Sequence, residues 1–125
     1  NDNKYDFSVL YDNKDYYINI DELELYRLLY NLIDNSFKYC SVNDRISLSY
    51  KVEDRLIITV EDTGAGMDPK YANKIFSPFY RLDKSRTKEG MGLGLSVVKG
   101  IVEKCDGKIS IKSELSKGTK VIVLL

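Results

Sequence analysis

DELELYRLLYNLIDNSFKY, residues 21 to 39, is the stretch on which the fold turns. At about 100° per residue, Leu25, Leu28, Leu29, Leu32, Ile33 and Ser36 fall on one broad apolar arc, which predicts an amphipathic helix packed on a core. Asp21 stands where an N-cap would, with Glu24 at the reciprocal capping-box position. Asn31, Asn35 and Lys38 lie within about 60° of each other at one margin of the arc. An amide at a core margin has lost part of its water and needs a partner. Two amide oxygens and an ammonium on one stripe suit a divalent cation beside a phosphate. Polar flank residues of an ordinary amphipathic helix would look the same.

The surrounding sequence extends this into an α+β pattern. Tyr5 to Leu10 and Tyr16 to Ile20 are rich in Tyr, Phe, Val and Ile and are split by YDNKD, which predicts a hairpin. After the helix come RISLSY at 45 to 50, which alternates, and the nearly all-apolar RLIITV at 55 to 60, expected as a central strand. A polar, glycine-punctuated stretch covers 61 to 92. Leu93 to about Cys105 reads as a second helix, ended by Asp106-Gly107. Lys108 to Lys112 and Thr119 to Leu125 read as strands joined by a turn around Lys117-Gly118. The expected fold is α+β, with helices packed on one face of a mostly antiparallel sheet.

Composition bounds the function. The 125 residues suit a single domain, and the equal numbers of acidic and basic residues advertise no nucleic acid. No apolar run reaches the ~20 residues needed to span a bilayer. Cys40 and Cys105 have no metal-ligand spacing and read as free thiols of a reducing compartment. There is no histidine, which removes every Ser–His or Cys–His pair, histidine base and histidine metal ligand. Because it opens on Asn1, the chain is expected to be a fragment of a longer protein.

Two glycine segments carry the remaining chemistry. In VEDTGAGM, Asp62 ends the apolar strand and Gly64 and Gly66 follow, where glycine permits positive φ and close approach to the backbone. A carboxylate there can accept from the amino group that adenine carries at N6, where guanine has a carbonyl. A tight turn with a capping Asp is the plainer alternative. In KEGMGLGLSVVKGIV, Gly90, Gly92 and Gly94 alternate into a helix start, where backbone N–H groups make an anion site. The spacing is neither GxGxxG nor GxxxxGK[ST]. Between them, a segment with Phe76, Phe79 and Tyr80 at its centre and Lys84, Arg86 and Lys88 near the glycines reads as a lid over phosphates or as a solvated loop.

Taken in order, these stretches resemble the catalytic and ATP-binding domain of bacterial sensor histidine kinases, in the superfamily shared with gyrase B, the Hsp90 chaperone and MutL. NLIDNSFKY is similar to the N box, DTGAGM to the G1 box, IFSPFYR to the F box, GMGLGL to the G2 box and SKGT to the final glycine box. The resemblance spans about residues 16 to 125. It implies the Bergerat fold, a two-layer α/β sandwich with a mixed, mostly antiparallel sheet covered by helices on one side. It implies Mg²⁺ on Asn35 with Asn31 in support, phosphates on Lys38 and Arg81, and Tyr39 lining the pocket. Asp62 would take the adenine amino group, Gly64 and Gly66 would shape the pocket, and Thr119 would join through water. Gly90, Gly92 and Gly94 would let the lid fold over the triphosphate, with backbone N–H groups from Gly92 through Leu93 and Gly94 to Leu95 facing it. Departures are Cys40 where Thr is usual, CDGK at 105 to 108 in place of HGGx, Ser116 in place of a glycine, and a short lid.

Within that superfamily, ATPases such as gyrase B carry a glutamate one turn before the metal-binding Asn, where it activates water. Asn31 holds that place here and cannot act as a base, while Asp34 and Glu24 fall away from the stripe on the wheel. The resemblance therefore implies phosphoryl transfer from Mg²⁺-ATP to a histidine on a separate dimerisation domain, then to a response regulator. The catalytic domain would be monomeric and cytoplasmic, in a homodimeric parent anchored in the bacterial membrane. The alternatives are a nucleotide-gated regulatory module, an ATPase, or a serine kinase of the anti-sigma type.

Overall fold

The structure, a computed structural model, describes residues 6–10, 16–38, 40–41, 43–71, 74–76 and 94–125. In chain order these form β1 (Asp6–Leu10), α1 (Glu22–Lys38), β2 (Arg45–Val52), β3 (Leu56–Asp62), α2 (Gly94–Lys104), β4 (Lys108–Glu114) and β5 (Gly118–Leu124), with 3₁₀ turns at Pro69–Tyr71 and Lys74–Phe76. The strands make one five-stranded sheet in the order β1-β2-β3-β5-β4. β1 pairs parallel to β2, and the other neighbours are antiparallel. The sheet is therefore mixed and mostly antiparallel, as expected.

The expected N-terminal hairpin does not form. β1 pairs with β2, and Tyr16 to Ile20 is not a strand. A parallel pair cannot be closed by a tight turn and needs a crossover, which α1 supplies. The aromatic and β-branched residues that suggested a second strand serve as packing instead. Tyr16 stands edge-on to Tyr50 of β2 with ring centroids 6.1 Å apart, and Ile20 packs against the core.

α1 follows its periodicity. Leu28 and Leu32 are fully buried, with Leu25 and Leu29 at the margins. Asp21 starts the helix, its Oδ2 accepting the Glu24 N–H at 3.3 Å and its carbonyl accepting from Leu25 N at 2.9 Å. The Glu24 carboxylate is taken by Lys104 at the end of α2, 2.8 Å away. This ion pair sets the start of α1 beside the end of α2, so the helices run antiparallel. The charges also oppose the two helix dipoles favourably.

α2 turns Leu95, Val98, Ile101 and Val102 inward onto Ile46, Ile58, Val60, Val121 and Val123 of the sheet. Burying each such side chain contributes about 1.5–3 kcal/mol. The other sheet face carries Ser47, Ser49, Thr59 and Lys112, so the molecule has two layers. The end of α2 is a Schellman cap, with Asp106 N donating to Glu103 O at 3.1 Å and Gly107 N to Val102 O at 2.9 Å. Its left-handed residue is Asp106, at φ 55°.

Candidate functional site

The functional side chains collect at one end of the sandwich, along the second half of α1. Asn31 lies beside the first residue of α2: a Cβ placed on Gly94 would sit 3.5 Å from Asn31 Oδ1. Its amide nitrogen donates to Arg27 O at 2.7 Å, one turn back. That bond uses one of the two NH₂ protons and leaves the oxygen on the side of Gly94. Asn35 and Lys38 follow on α1, both half-buried.

Lys38 corrects the reading of Asp34. Its Nζ lies 3.1 Å from Asp34 Oδ2, so Asp34 does not point away from the stripe. Residues four apart stand one turn above each other, and the long lysine stem closes the remaining angle.

At the far end of α1, Ser36 and Cys40 meet Asp62. Asp62 is 8% exposed at the end of β3, and its Oδ1 accepts from Gly64 N at 2.9 Å. Burial pushes its carboxyl up from the ordinary value. Hydrogen bonds from the N–H groups of Gly64 and Thr119, the Ser36 hydroxyl and the Cys40 thiol oppose that rise. The Cys40 thiol is pushed up to about 12 by burial first, then by the charges of Asp62 and Asp44. Cys40 and Cys105 are both free thiols.

The loop after β3 is latched to the β4–β5 turn. Gly66 has φ 68° and Gly118 φ 107°. A Cβ on Gly66 would overlap the Glu114 carbonyl, and one on Gly118 would overlap the Asp62 carbonyl. Ser116 N donates to Ala65 O at 2.8 Å, and Met67 N to Ser113 Oγ at 2.8 Å. Ser116, where the resemblance expects glycine, holds φ 67° without being one. A cleft of about 350 Å³ at this rim is lined by Asp62, Ser113, Gly118 and Thr119 together with the charged Glu61, Lys112, Glu114, Lys117 and Lys120, so it opens largely toward the outer face of the sheet. A second cleft of about 490 Å³ lies at the opposite end of the sheet, by Tyr17, Arg55 and Leu125, and contains no expected site residue.

The structure thus brings together Asn31, Asn35, Lys38 and Gly94 on one side, and Asp62, Gly64, Gly66 and Thr119 on the other. Leu95 is a core residue whose backbone belongs to the first turn of α2. Tyr39, Arg81, Gly90, Gly92 and Leu93 lie outside the described residues, as do Phe79, Tyr80, Lys84, Arg86 and Lys88. Phe76 packs against the core with Lys99 Nζ 5.6 Å from its ring.

Sequence reasoning missed the polar roles of Ser36 and Ser113. Ser36 sits in the apolar arc and is 4% exposed, and a serine in such an arc signals a buried hydroxyl that needs a partner. Ser113 follows Ile109 and Ile111 on the inward face of β4, an equally legible signal.

A two-layer sandwich with a buried carboxylate at a strand end, next to paired amides and a glycine-started helix, defines a nucleotide-binding class. The family model described as histidine kinase-, DNA gyrase B-, and HSP90-like ATPase matches residues 20–125, and the chain belongs to that family. It is 41% identical over 102 residues to the sensor protein SrrB of Staphylococcus aureus, a match covering 79% of this chain and 18% of that relative. The chain therefore spans about a fifth of the length of the curated relative it matches. Its structure is similar to the mycobacterial sensor histidine kinase MprB, with TM-score 0.81, 23% identity, and coverage of 98% of this chain and 82% of that one. It is also similar to full-length ShkA in complex with AMPPNP, with TM-score 0.76, 26% identity, and coverage of 97% and 25%.

Proposed function

We propose that this domain binds Mg²⁺-ATP and hands the γ-phosphate to a histidine on a separate helical dimerisation domain of its parent, in a two-component relay that ends on a response regulator. Adenine would place its amino group on the Asp62 carboxylate, with Thr119 beside it. The triphosphate would run along α1 toward the first turn of α2, with Lys38 and Arg81 neutralising its charge. The glycines from Gly90 to Gly94 would close over it. The SrrB relative and the sensor-kinase neighbours support this reading, and ShkA binds a nucleotide analogue. They also support a parent anchored in the membrane; no described helix of this chain is long and apolar enough to cross one.

The site residues fit the metal. Asn31 places its amide nitrogen on Arg27 O, and its oxygen is a hard ligand of the kind Mg²⁺ takes directly or through its waters. Asn35 would be the metal ligand, with Asn31 in support. When bound, the ion would neutralise charge on the phosphate oxygens.

The observation that carries transfer over hydrolysis is Asn31 itself. It stands where the hydrolytic relatives place a general base, and its amide is fixed by a backbone hydrogen bond. The incoming imidazole supplies the lone pair for the new N–P bond. The bond from phosphorus to the bridging oxygen breaks, ADP leaves with that electron pair, and the imidazole proton goes to a base on the partner domain. Positioning and charge neutralisation are what the nucleotide site must add.

The domain alone, incubated with Mg²⁺ and γ-labelled ATP, should acquire no label, because it contains no histidine. Adding the parent's helical domain should yield an acid-labile label. Acid-stable label would point to a serine kinase, and absence of label with nucleotide binding intact would favour a nucleotide-gated module.

A further inference from the structure

α1 carries a second apolar stripe beside its core arc. Leu23, Tyr26, Tyr30, Ile33 and Phe37 recur at spacings of three, four, three and four. At about 100° per residue they fall within about 80° of one another. That repeat is the seam of a two-stranded coiled coil, with Leu23, Tyr30 and Phe37 at a and Tyr26 and Ile33 at d. Much of it faces solvent. Leu23 is 71% exposed, Tyr26 65% and Tyr30 56%, and the two tyrosine rings stack with centroids 6.1 Å apart.

The fold leaves space beside this seam. α2 lies on the other flank of α1, marked by the Glu24–Lys104 pair and the approach of Gly94 to Asn31. α1 packs on β2 and β3, and α2 reaches β4. Helices pack ~8–10 Å apart and strands ~5 Å apart, so two helices cover about four strands. β1, the fifth strand, overhangs. All its residues are exposed, and Phe7 and Val9, which pair with the inward Ile46 and Leu48, stay 38% and 43% open. Phe7 meets Phe37 at the end of the seam, with ring centroids 5.9 Å apart, so the overhang lies on the seam's side. Among the described residues, a slot one helix wide therefore runs along α1 over β1.

We propose that this face binds a second copy of the chain, with the two α1 helices packed in parallel through the seam and each filling the slot over the other copy's β1. The charges at the seam's edge fit this occupant. In parallel register each g position meets the e position five residues on in the other helix. Glu22 at g then meets Arg27 at e of the second copy, and the two-fold axis makes the contact twice. Both residues are exposed. The next such pair, Leu29 with Asp34, sets no like charges together. Sterics fix the direction. An antiparallel pair about a two-fold axis would put both sheets on one side of the helices, where the two β1 overhangs collide. The parallel pair puts the sheets on opposite sides. This departs from the monomer that the resemblance implies for the isolated domain.

The size of the patch sets the strength. With ~150–250 Å² on a large aromatic, Leu23, Tyr26, Tyr30, Phe7 and Val9 leave roughly 500 Å² open per copy. Two copies bury roughly 1,000 Å² from these side chains, the threshold of a specific interface, so the contact is weak in the free domain. In a homodimeric parent, as the resemblance implies, tethering supplies an effective concentration of about millimolar, which favours the contact.

Sedimentation velocity of the domain over a wide concentration range tests this. The wild type should pass from monomer to dimer as concentration rises. Tyr30→Glu, at an exposed seam position, should abolish the dimer. Glu22→Arg and Arg27→Glu each set like charges together twice and should weaken dimerisation about tenfold. The double variant re-forms both pairs and should recover the wild-type constant. Leu23→Cys, under mild oxidation, should link two copies through position 23, which an antiparallel pair keeps apart. A wild type that is monomeric at every concentration overturns the proposal. So does a dimer that Tyr30→Glu leaves intact, or a double variant as weak as the singles. If the domain stays monomeric and Tyr30→Glu instead abolishes binding of the parent's helical domain, the seam belongs to that helix and the proposal falls. None of these substitutions lies among the proposed nucleotide-site residues, so failure here leaves the ATP reading standing.

Discussion

The two halves of the candidate site are organised by different physics. The base end, around Asp62, is assembled from three strands and two turns that meet through contacts distant in sequence. Met67 reaches Ser113, Ser116 reaches Ala65, and Gly118 closes on the Asp62 carbonyl. The phosphate end is built almost within one helix. Asn31 bonds back to Arg27, and Lys38 pairs with Asp34 one turn away. Among the described residues, the approach of Gly94 to Asn31 brings a second element to that end. A pocket latched by long-range contacts is pre-organised and intolerant of change. A stripe held by neighbours one turn apart can adjust when a charged ligand arrives.

That contrast can be broken most sharply at the latch. Gly118→Ala and Gly66→Ala each place a methyl group on a carbonyl oxygen at positive φ, and should destabilise the fold by about 3 kcal/mol. Urea denaturation would measure this, and a loss near zero would mean the turn can move aside.

Asp62→Ala should cost ATP roughly tenfold to a hundredfold in affinity, the worth of a hydrogen bond to a charged group. The wild type should show the matching pH dependence. Because the folded-state pKa of Asp62 is raised, its stabilising contribution is present below the unfolded value and lost as pH rises through the folded one. Base binding runs the other way, since it needs the carboxylate. Titration calorimetry should show ATP affinity falling as pH drops through the raised pKa, beginning above the ordinary ~3.9 of an aspartate. A flat profile down to that value would sink the role of Asp62.

Smaller effects follow. Ser116→Gly relieves a left-handed serine and should stabilise the domain by about 1 kcal/mol, read as a higher melting temperature. Asp34→Asn, at the adjustable end, should change stability by no more than about 0.5 kcal/mol, since the pair is partly solvated. A large stability loss from Asp34→Asn would erase the contrast between the two ends.

The legibility of each part followed the range of its interactions. α1 was readable because its apolar arc repeats within a single helix, and the Asn31–Asn35–Lys38 stripe came with it. β2, β3, β4 and β5 were readable from apolar runs bounded by turn residues. The N-terminal strand was readable as a strand but not as the partner of β2, because parallel pairing is decided by where α1 delivers the chain. Asp34 was misplaced although its spacing of four from Lys38 sets the two only about 40° apart at 100° per residue, so the i,i+4 pair was open to reading from the sequence. The hydroxyls of Ser36 and Ser113 were hidden in apolar patterns, where one polar residue among leucines or isoleucines looks like tolerance and not like purpose.

By itself, the sequence determined the elements, the sandwich class and the candidate groups, because helix and strand periods and glycine positions are local properties of the chain. Only the tertiary structure decided the sheet order, the burial of Asp62 among its donors, and the exposure of the α1 seam beside the β1 overhang. Whether a side chain is covered depends on which elements pack against it, and those elements are brought together only when the strands pair.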